Sequence, residues 1–159
     1  MMTTLETRQK IYRCELCMNK RDAGEINEAL NKACSAIQLG YTAVVNAGTT
    51  LFPKADVPAT SFAFNLMGSM HLERVIDLDP KNPIALSLLC SLELLEGSKS
   101  RAQMLLNRLL RCKSIDRASL ALGKIIEQEI TKETENVRWD KILERQFRVL
   151  QKLEKLEHE

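Results

Sequence analysis

The sequence predicts an all-α protein. Leu, Ala, Glu and Lys are abundant, whereas aromatic residues make up 4% of the 159 residues, and this composition favours helices over sheet. Several stretches repeat apolar residues at the i, i+3, i+4 spacing of an amphipathic helix. A chain of this length can bury a core of its own. We therefore expect a single domain spanning residues 1–159, with about seven helices.

The first part of the chain carries the signals for two helices. Thr3 and Glu6 have the spacing of a capping box, which predicts that a first helix begins beside them. A second apolar stripe runs over Glu25–Val44, with Asp22 as its expected cap. Gly24 lies between the two stripes, so we expect it to end the first helix in a left-handed conformation.

An irregular loop is predicted over about residues 46–60, because two prolines, a glycine and β-branched residues interrupt the helical pattern there. Gly40, shortly before this loop, either breaks the preceding helix or lies inside it. The helical stripe returns over Ala59–Leu78. Pro80 and Pro83 then end that helix and begin the next one.

A pair of helices is predicted next. Asn82 is the expected cap of a helix over Ile84–Leu95, with Pro83 in its first turn, where a missing N–H costs nothing. Gly97 is expected to end that helix in a left-handed conformation. The second helix of the pair covers Ala102–Leu110.

Two further helices are predicted at the end of the chain. Either Ser114 or Asp116 caps a helix over Ala118–Ile130. A capping helix is predicted over about residues 135–157, and its balanced charged face is typical of a helix that closes a helical array. Its apolar stripe comprises Trp139, Ile142, Leu143, Gln146, Phe147, Leu150 and Leu153.

The two predicted helix pairs share one template. Positions in the first pair recur 73 residues later in the second, namely Leu16, Cys17, Gly24 and Ala29 against Leu89, Cys90, Gly97 and Ala102. Small residues such as Cys90 and Ala102 let the two helices of a pair approach closely. With the Asp79–Pro83 junction, this template resembles the tetratricopeptide repeat (TPR), which has a period of about 34 residues. The same pattern also fits a different right-handed array of helix pairs or a plain helical bundle.

The TPR resemblance implies a peptide-binding groove, because the first helix of each pair lines the concave face in that family. The implied groove residues are Ile11, Cys14, Met18, Ser87, Ser91, Leu94, Arg117, Leu120 and Lys124. This mixture of apolar and basic residues predicts an amphipathic or acidic peptide, or a helix, as the bound partner. The clamp that binds heat-shock C-terminal peptides needs Lys and Asn on the first two helix pairs, where this chain has Cys14, Met18, Ser87 and Ser91. The difference argues against such a peptide. The expected function is therefore that of a non-enzymatic protein-interaction module or adaptor.

No pattern in the sequence indicates catalysis, since it has no glycine-rich phosphate loop, nucleophile elbow or H-E-x-x-H motif. Cys14 and Cys17 form a lone C-x-x-C without a second pair of ligands, so we expect no metal and no cofactor. The cysteines number five, and this odd count predicts reduced thiols in an intracellular, cytoplasmic protein. No signal peptide or membrane span is expected.

Two other surfaces supply alternative functions. The last helix is expected to fold back over the groove, although its stripe also permits self-association with a second chain. A structural subunit that uses its outer face and last helix is therefore the alternative function. A weaker alternative is RNA binding through a basic cluster, but the net charge of +2 argues against nucleic acid as a partner. The cluster comprises Arg101, Arg108, Arg111, Lys113 and Arg117.

Overall fold

The computed structural model describes residues 20–46, 59–131 and 139–157, which form six helices. These are α1 (Lys20–Asn46), α2 (Ala59–Leu78), α3 (Pro83–Leu95), α4 (Lys99–Leu110), α5 (Arg117–Ile130) and α6 (Trp139–Glu157). The all-α prediction is thus confirmed for this part of the chain. The predicted first helix, the predicted loop between α1 and α2, and the groove residues Ile11, Cys14 and Met18 lie outside the described residues.

Helix α3 lies at the centre of the fold. All thirteen of its residues are buried, as expected of a helix that is apolar on nearly every side. It packs against α2, α4, α5 and α6. The main core cluster therefore forms around this helix, and residues of all the other described helices contribute to it.

Helix α1 is longer than the sequence indicated. Gly24 and Asp22 were expected to mark a break, but both lie inside α1, and so does Gly40. The buried Ala23 and Ile26 continue the apolar stripe past Gly24. Their packing outweighs the cost of about 1 kcal/mol that a glycine imposes on a helix interior. The predicted left-handed cap at Gly24 is therefore wrong.

The breaks on either side of α3 follow the sequence signals. The Asn82 side chain accepts a hydrogen bond from the backbone N–H of Ala85 at 3.0 Å, and Pro83 occupies the first turn. Gly97 has a φ of 84°, which glycine adopts without the steric cost that a Cβ would bring. The N-cap of α5 is Asp116, which accepts from the backbone N–H of Ser119 at 3.0 Å.

Small residues allow the close helix contacts beside α3, as predicted. The Cys90 thiol donates to the backbone oxygen of Ala102 at 3.1 Å, so α3 and α4 nearly touch there. Gly123 makes a similar approach possible between α5 and α4, because a Cβ at that position would lie 2.7 Å from Cδ2 of Leu109.

The last helix closes the bundle. Helix α6 packs against α5, α1 and α3, so the first and last described helices are in contact. The rings of Tyr41 on α1 and Phe147 on α6 stack with centroids 5.1 Å apart. None of the helices in the described ranges is both long and apolar enough to cross a membrane.

Candidate helix-binding site

The six predicted groove residues within the described ranges fall into two groups. Ser87, Ser91 and Leu94 on α3 are buried, with exposures of 0%, 0% and 2%. These three do not line an open groove, because α3 is covered by its neighbours. Arg117 and Lys124 on α5 are exposed, and Leu120 between them is half-buried. Their i, i+3, i+7 spacing puts these three on one accessible strip of α5.

A buried polar contact joins α6 to α3. The side-chain amide of Gln146 donates to Oγ of Ser91 at 2.9 Å, and Ser91 itself donates to the backbone oxygen of Leu88 at 2.6 Å. Gln146 is 2% exposed. Because buried polar groups cost free energy unless they are paired, this contact fixes one register of α6 on α3.

Apolar side chains of α6 surround that contact. Ile142, Val149 and Leu150 are completely buried, and Leu153 is 1% exposed. The Cys34 thiol on α1 lies 3.7 Å from the backbone oxygen of Leu150. We use the name α6 seat for the surfaces of α1, α3 and α5 on which this apolar stripe lies.

One end of the α6 seat holds a charged contact. Nζ of Lys152 on α6 lies 3.4 Å from Oδ2 of Asp116, whose side chain is 10% exposed. The same carboxylate oxygen accepts from the backbone N–H of Ser119. Two buried atoms of the same residues, Oδ1 of Asp116 and Oγ of Ser119, have no hydrogen-bond partner. We call these two residues at the start of α5 the Asp116 recess.

The outer face of α2 carries exposed apolar side chains. Leu66, Met67 and Met70 are 48%, 49% and 67% exposed. Met70 is four residues from Leu66 and three from Met67, so it is a neighbour of both on the helix surface. Large apolar side chains grouped in this way are typical of surfaces that contact other molecules.

The predicted basic cluster is partly engaged within the chain. Arg101 pairs with Glu73 on α2 and, at 3.2 Å, with Glu93 on α3. Arg108 donates to the backbone oxygen of Pro80 at 2.9 Å. These two arginines therefore tie α4 to its neighbours. The other members, Arg111, Lys113 and Arg117, are exposed.

A shallow cavity of about 280 Å³ lies between α1 and α2. Arg74 in its wall pairs with Glu25 at 3.4 Å, and Lys32 pairs with Glu28 at 3.0 Å. His71 completes the polar lining. Because both cations are paired with carboxylates, the cavity offers no net charge with which to select an ionic ligand.

The cysteines within the described ranges, Cys34, Cys90 and Cys112, carry thiol groups. Burial, and secondarily the carboxylate of Glu93, raises the pKa of Cys90 from 9.0 to about 12. Such a thiol is a poor nucleophile and metal ligand at neutral pH, because the thiolate is the reactive form. Within the described ranges, no three His, Cys, Asp or Glu side chains are grouped to hold a metal ion.

Two contacts of the site do not follow from the sequence pattern. The pattern places Gln146 in the apolar stripe of α6 but does not indicate its partner Ser91. It identifies Asp116 as a helix cap but does not indicate the contact with Lys152. A glutamine within an apolar stripe is the signal that could have indicated a buried partner. No family model matches the chain, and no curated protein or solved structure matches it either.

Proposed function

We propose that this chain is a non-enzymatic protein-interaction module that binds an amphipathic helix of another protein in the α6 seat. The single observation that carries the proposal is the buried contact of Gln146 with Ser91. Ser91 is also one of the groove residues that the TPR resemblance implies. In this proposal α6 acts as an internal ligand, and the partner helix replaces it.

The arrangement of the central helices supports a TPR-like module. Helix α5 begins at Arg117, 34 residues after α3 begins at Pro83, which matches the TPR period. Helix α3 packs against its pair partner α4 and also against α5, as the first helices of stacked pairs do. A seat built on such stacked helices is rigid before binding, which limits the entropy lost when a partner docks.

The character of α6 also supports the proposal. Its buried side is apolar except for Gln146. On the other side, Lys141, Glu144, Arg145 and Arg148 are exposed. A helix with one charged side remains compatible with water when it leaves its seat. A helix with a similar apolar stripe can therefore displace α6 and bind in the α6 seat.

A helix-exchange experiment tests the proposal. A protease site inserted between Thr131 and Trp139 allows α6 to be cut from the chain after folding. A fluorescent peptide of residues 139–157 is then added, and its uptake is followed by fluorescence anisotropy. We expect saturable uptake by the cut protein and none by the uncut protein at the same concentration.

The control peptide carries Leu150→Asp and Leu153→Asp, which place charges in the apolar stripe, and we expect it not to bind. Circular dichroism must show that the cut protein keeps its helical content. Absence of uptake by a cut protein that is still folded would refute the proposed function. Equal uptake of the control peptide would refute it as well.

A structural-subunit function is the second candidate, and the exposed Leu66, Met67 and Met70 favour it. In that case the outer face of α2 would be buried against another subunit. Met70→Lys should then abolish an association seen by analytical ultracentrifugation. The matched control is Met104→Lys, since Met104 on α4 is also exposed, at 52%. RNA binding gains less support, because Arg101 and Arg108 are engaged within the chain.

A further inference from the structure

Some buried polar atoms of the α6 seat have no hydrogen-bond partner on α6. At the Asp116 recess, Nζ of Lys152 lies 3.4 Å from Oδ2 of Asp116. That oxygen already accepts from the backbone N–H of Ser119. Oδ1 of Asp116 and Oγ of Ser119 remain buried without a partner. Native structures rarely leave such buried polar atoms without a partner, because each one loses its hydrogen bonds to water on burial.

The two atoms without a partner indicate which side chain would bind at the Asp116 recess more favourably than lysine does. A carboxylate oxygen only accepts, and a hydroxyl oxygen accepts as well as donates, so an N–H donor can satisfy both atoms. Asp116 adds a negative charge, which favours a cation. A lysine ammonium is a single point of charge, whereas an arginine guanidinium presents several N–H groups in a planar fork. A guanidinium can bind both oxygens of a carboxylate at once and still donate to a nearby hydroxyl.

We infer that the helix accepted by the α6 seat carries an arginine at the position that Lys152 takes in α6. The Asp116 recess is the anchor for its guanidinium. The inference rests on the proposed function and deepens it. The partner is an amphipathic helix whose apolar stripe ends beside an arginine, and a second copy of this chain, which carries lysine there, is the poorer ligand.

The preference follows from how the site is built. Asp116 is held in place by its capping bond to Ser119, so its carboxylate does not have to reorganise when the ligand changes. With lysine in α6, the internal ligand stays weaker than the arginine ligand. An internal ligand that is weaker than the partner can be displaced, and a stronger one would block the seat.

The helix-exchange assay tests the inference with three labelled peptides of residues 139–157. One has the native sequence, one carries Lys152→Arg, and the control carries Lys141→Arg at an exposed position. We expect Lys152→Arg to bind about five- to tenfold more tightly, as charge-assisted hydrogen bonds do. The Lys141→Arg peptide should bind like the native one.

A variant of the α6 seat provides a second test of the arginine preference. Asp116→Asn keeps a good N-cap residue but removes the negative charge, so the advantage of the Lys152→Arg peptide should disappear. If the native peptide binds and Lys152→Arg binds no better, the inference is wrong while the proposed function stands. If the advantage survives in Asp116→Asn, the recess is not the anchor, and the inference is again wrong.

A measurement on the uncut chain covers the case in which no peptide exchanges. That case refutes the proposed function, but Lys152→Arg in the full chain still reports on the recess. Hydrogen exchange of the α6 amides should slow about five- to tenfold relative to Lys141→Arg if the guanidinium is held. Equal exchange in the two variants would overturn the inference by itself.

Discussion

Replacement of Gln146 by alanine tests the contact on which the proposed function depends. The change removes the amide that donates to Ser91 at 2.9 Å. Loss of one such hydrogen bond costs about 1 kcal/mol. The lost packing of the buried side-chain stem adds about 0.8 kcal/mol. We therefore expect the free energy of unfolding to fall by about 2 kcal/mol, and the Tm by about 4–8 °C.

The chain provides a matched control for this change. Gln151 lies five residues further along α6 and is exposed. Gln151→Ala should change stability by less than about 0.5 kcal/mol. Urea unfolding followed by circular dichroism measures both variants, and unchanged m-values would show that the denatured state is comparable.

A double-mutant cycle separates the hydrogen bond from the packing. Ser91→Ala and Gln146→Ala are measured singly and together. If the amide and the hydroxyl are bonded, the double variant should lose about 1 kcal/mol less than the sum of the two single losses. A coupling energy below about 0.3 kcal/mol, or an equal loss in Gln151→Ala, would refute the placement of α6 on α3.

Three further predictions concern the packing around α3. Ala102→Leu should destabilise the fold by about 1–3 kcal/mol through overpacking against α3, whereas Met104→Leu at the exposed surface should be nearly neutral in urea unfolding. Arg101→Ala should cost about 1 kcal/mol, because it breaks two ion pairs across three helices. Arg111→Ala is the control. Because salt screens ion pairs, added salt should reduce the difference in Tm between the Arg101→Ala and Arg111→Ala variants. The raised pKa of Cys90 predicts that stability falls between pH 9.0 and about 12, since the unfolded chain releases the thiol proton at lower pH than the folded chain does. We measure the slope of the free energy of unfolding against pH in this range. Cys90→Ala should make that slope shallower by at most about 1.4 kcal/mol per pH unit. An unchanged slope would contradict the burial of the thiol.

Local signals predicted the helix ends well where one residue decides the geometry. Asn82 caps α3, Gly97 adopts a positive φ and Asp116 caps α5, as expected. The glycine signal failed at Gly24, because the buried stripe through Ile26 extends across it. The packing of that stripe is a tertiary effect, which a local motif does not contain.

The candidate site was less predictable than the fold class. Ser91 was assigned to the groove, but its burial depends on α6, which begins 48 residues later in the chain. The pairing of Lys152 with Asp116 likewise joins two residues that carry no shared motif. Neither contact follows from helical periodicity, since periodicity predicts which side of a helix is buried but not which helix covers it.

The central position of α3 has a consequence for how the chain is made. Synthesis proceeds from the N-terminus at roughly 5–20 residues per second, and about 60 residues separate the end of α3 from the end of α6. After α3 has been synthesised, roughly 3–12 seconds therefore pass before synthesis of the helices that cover it is complete. Of the helices that pack against α3, α2 alone precedes it in the described part of the chain, so much of the apolar surface of Ile84–Leu95 stays uncovered during that interval.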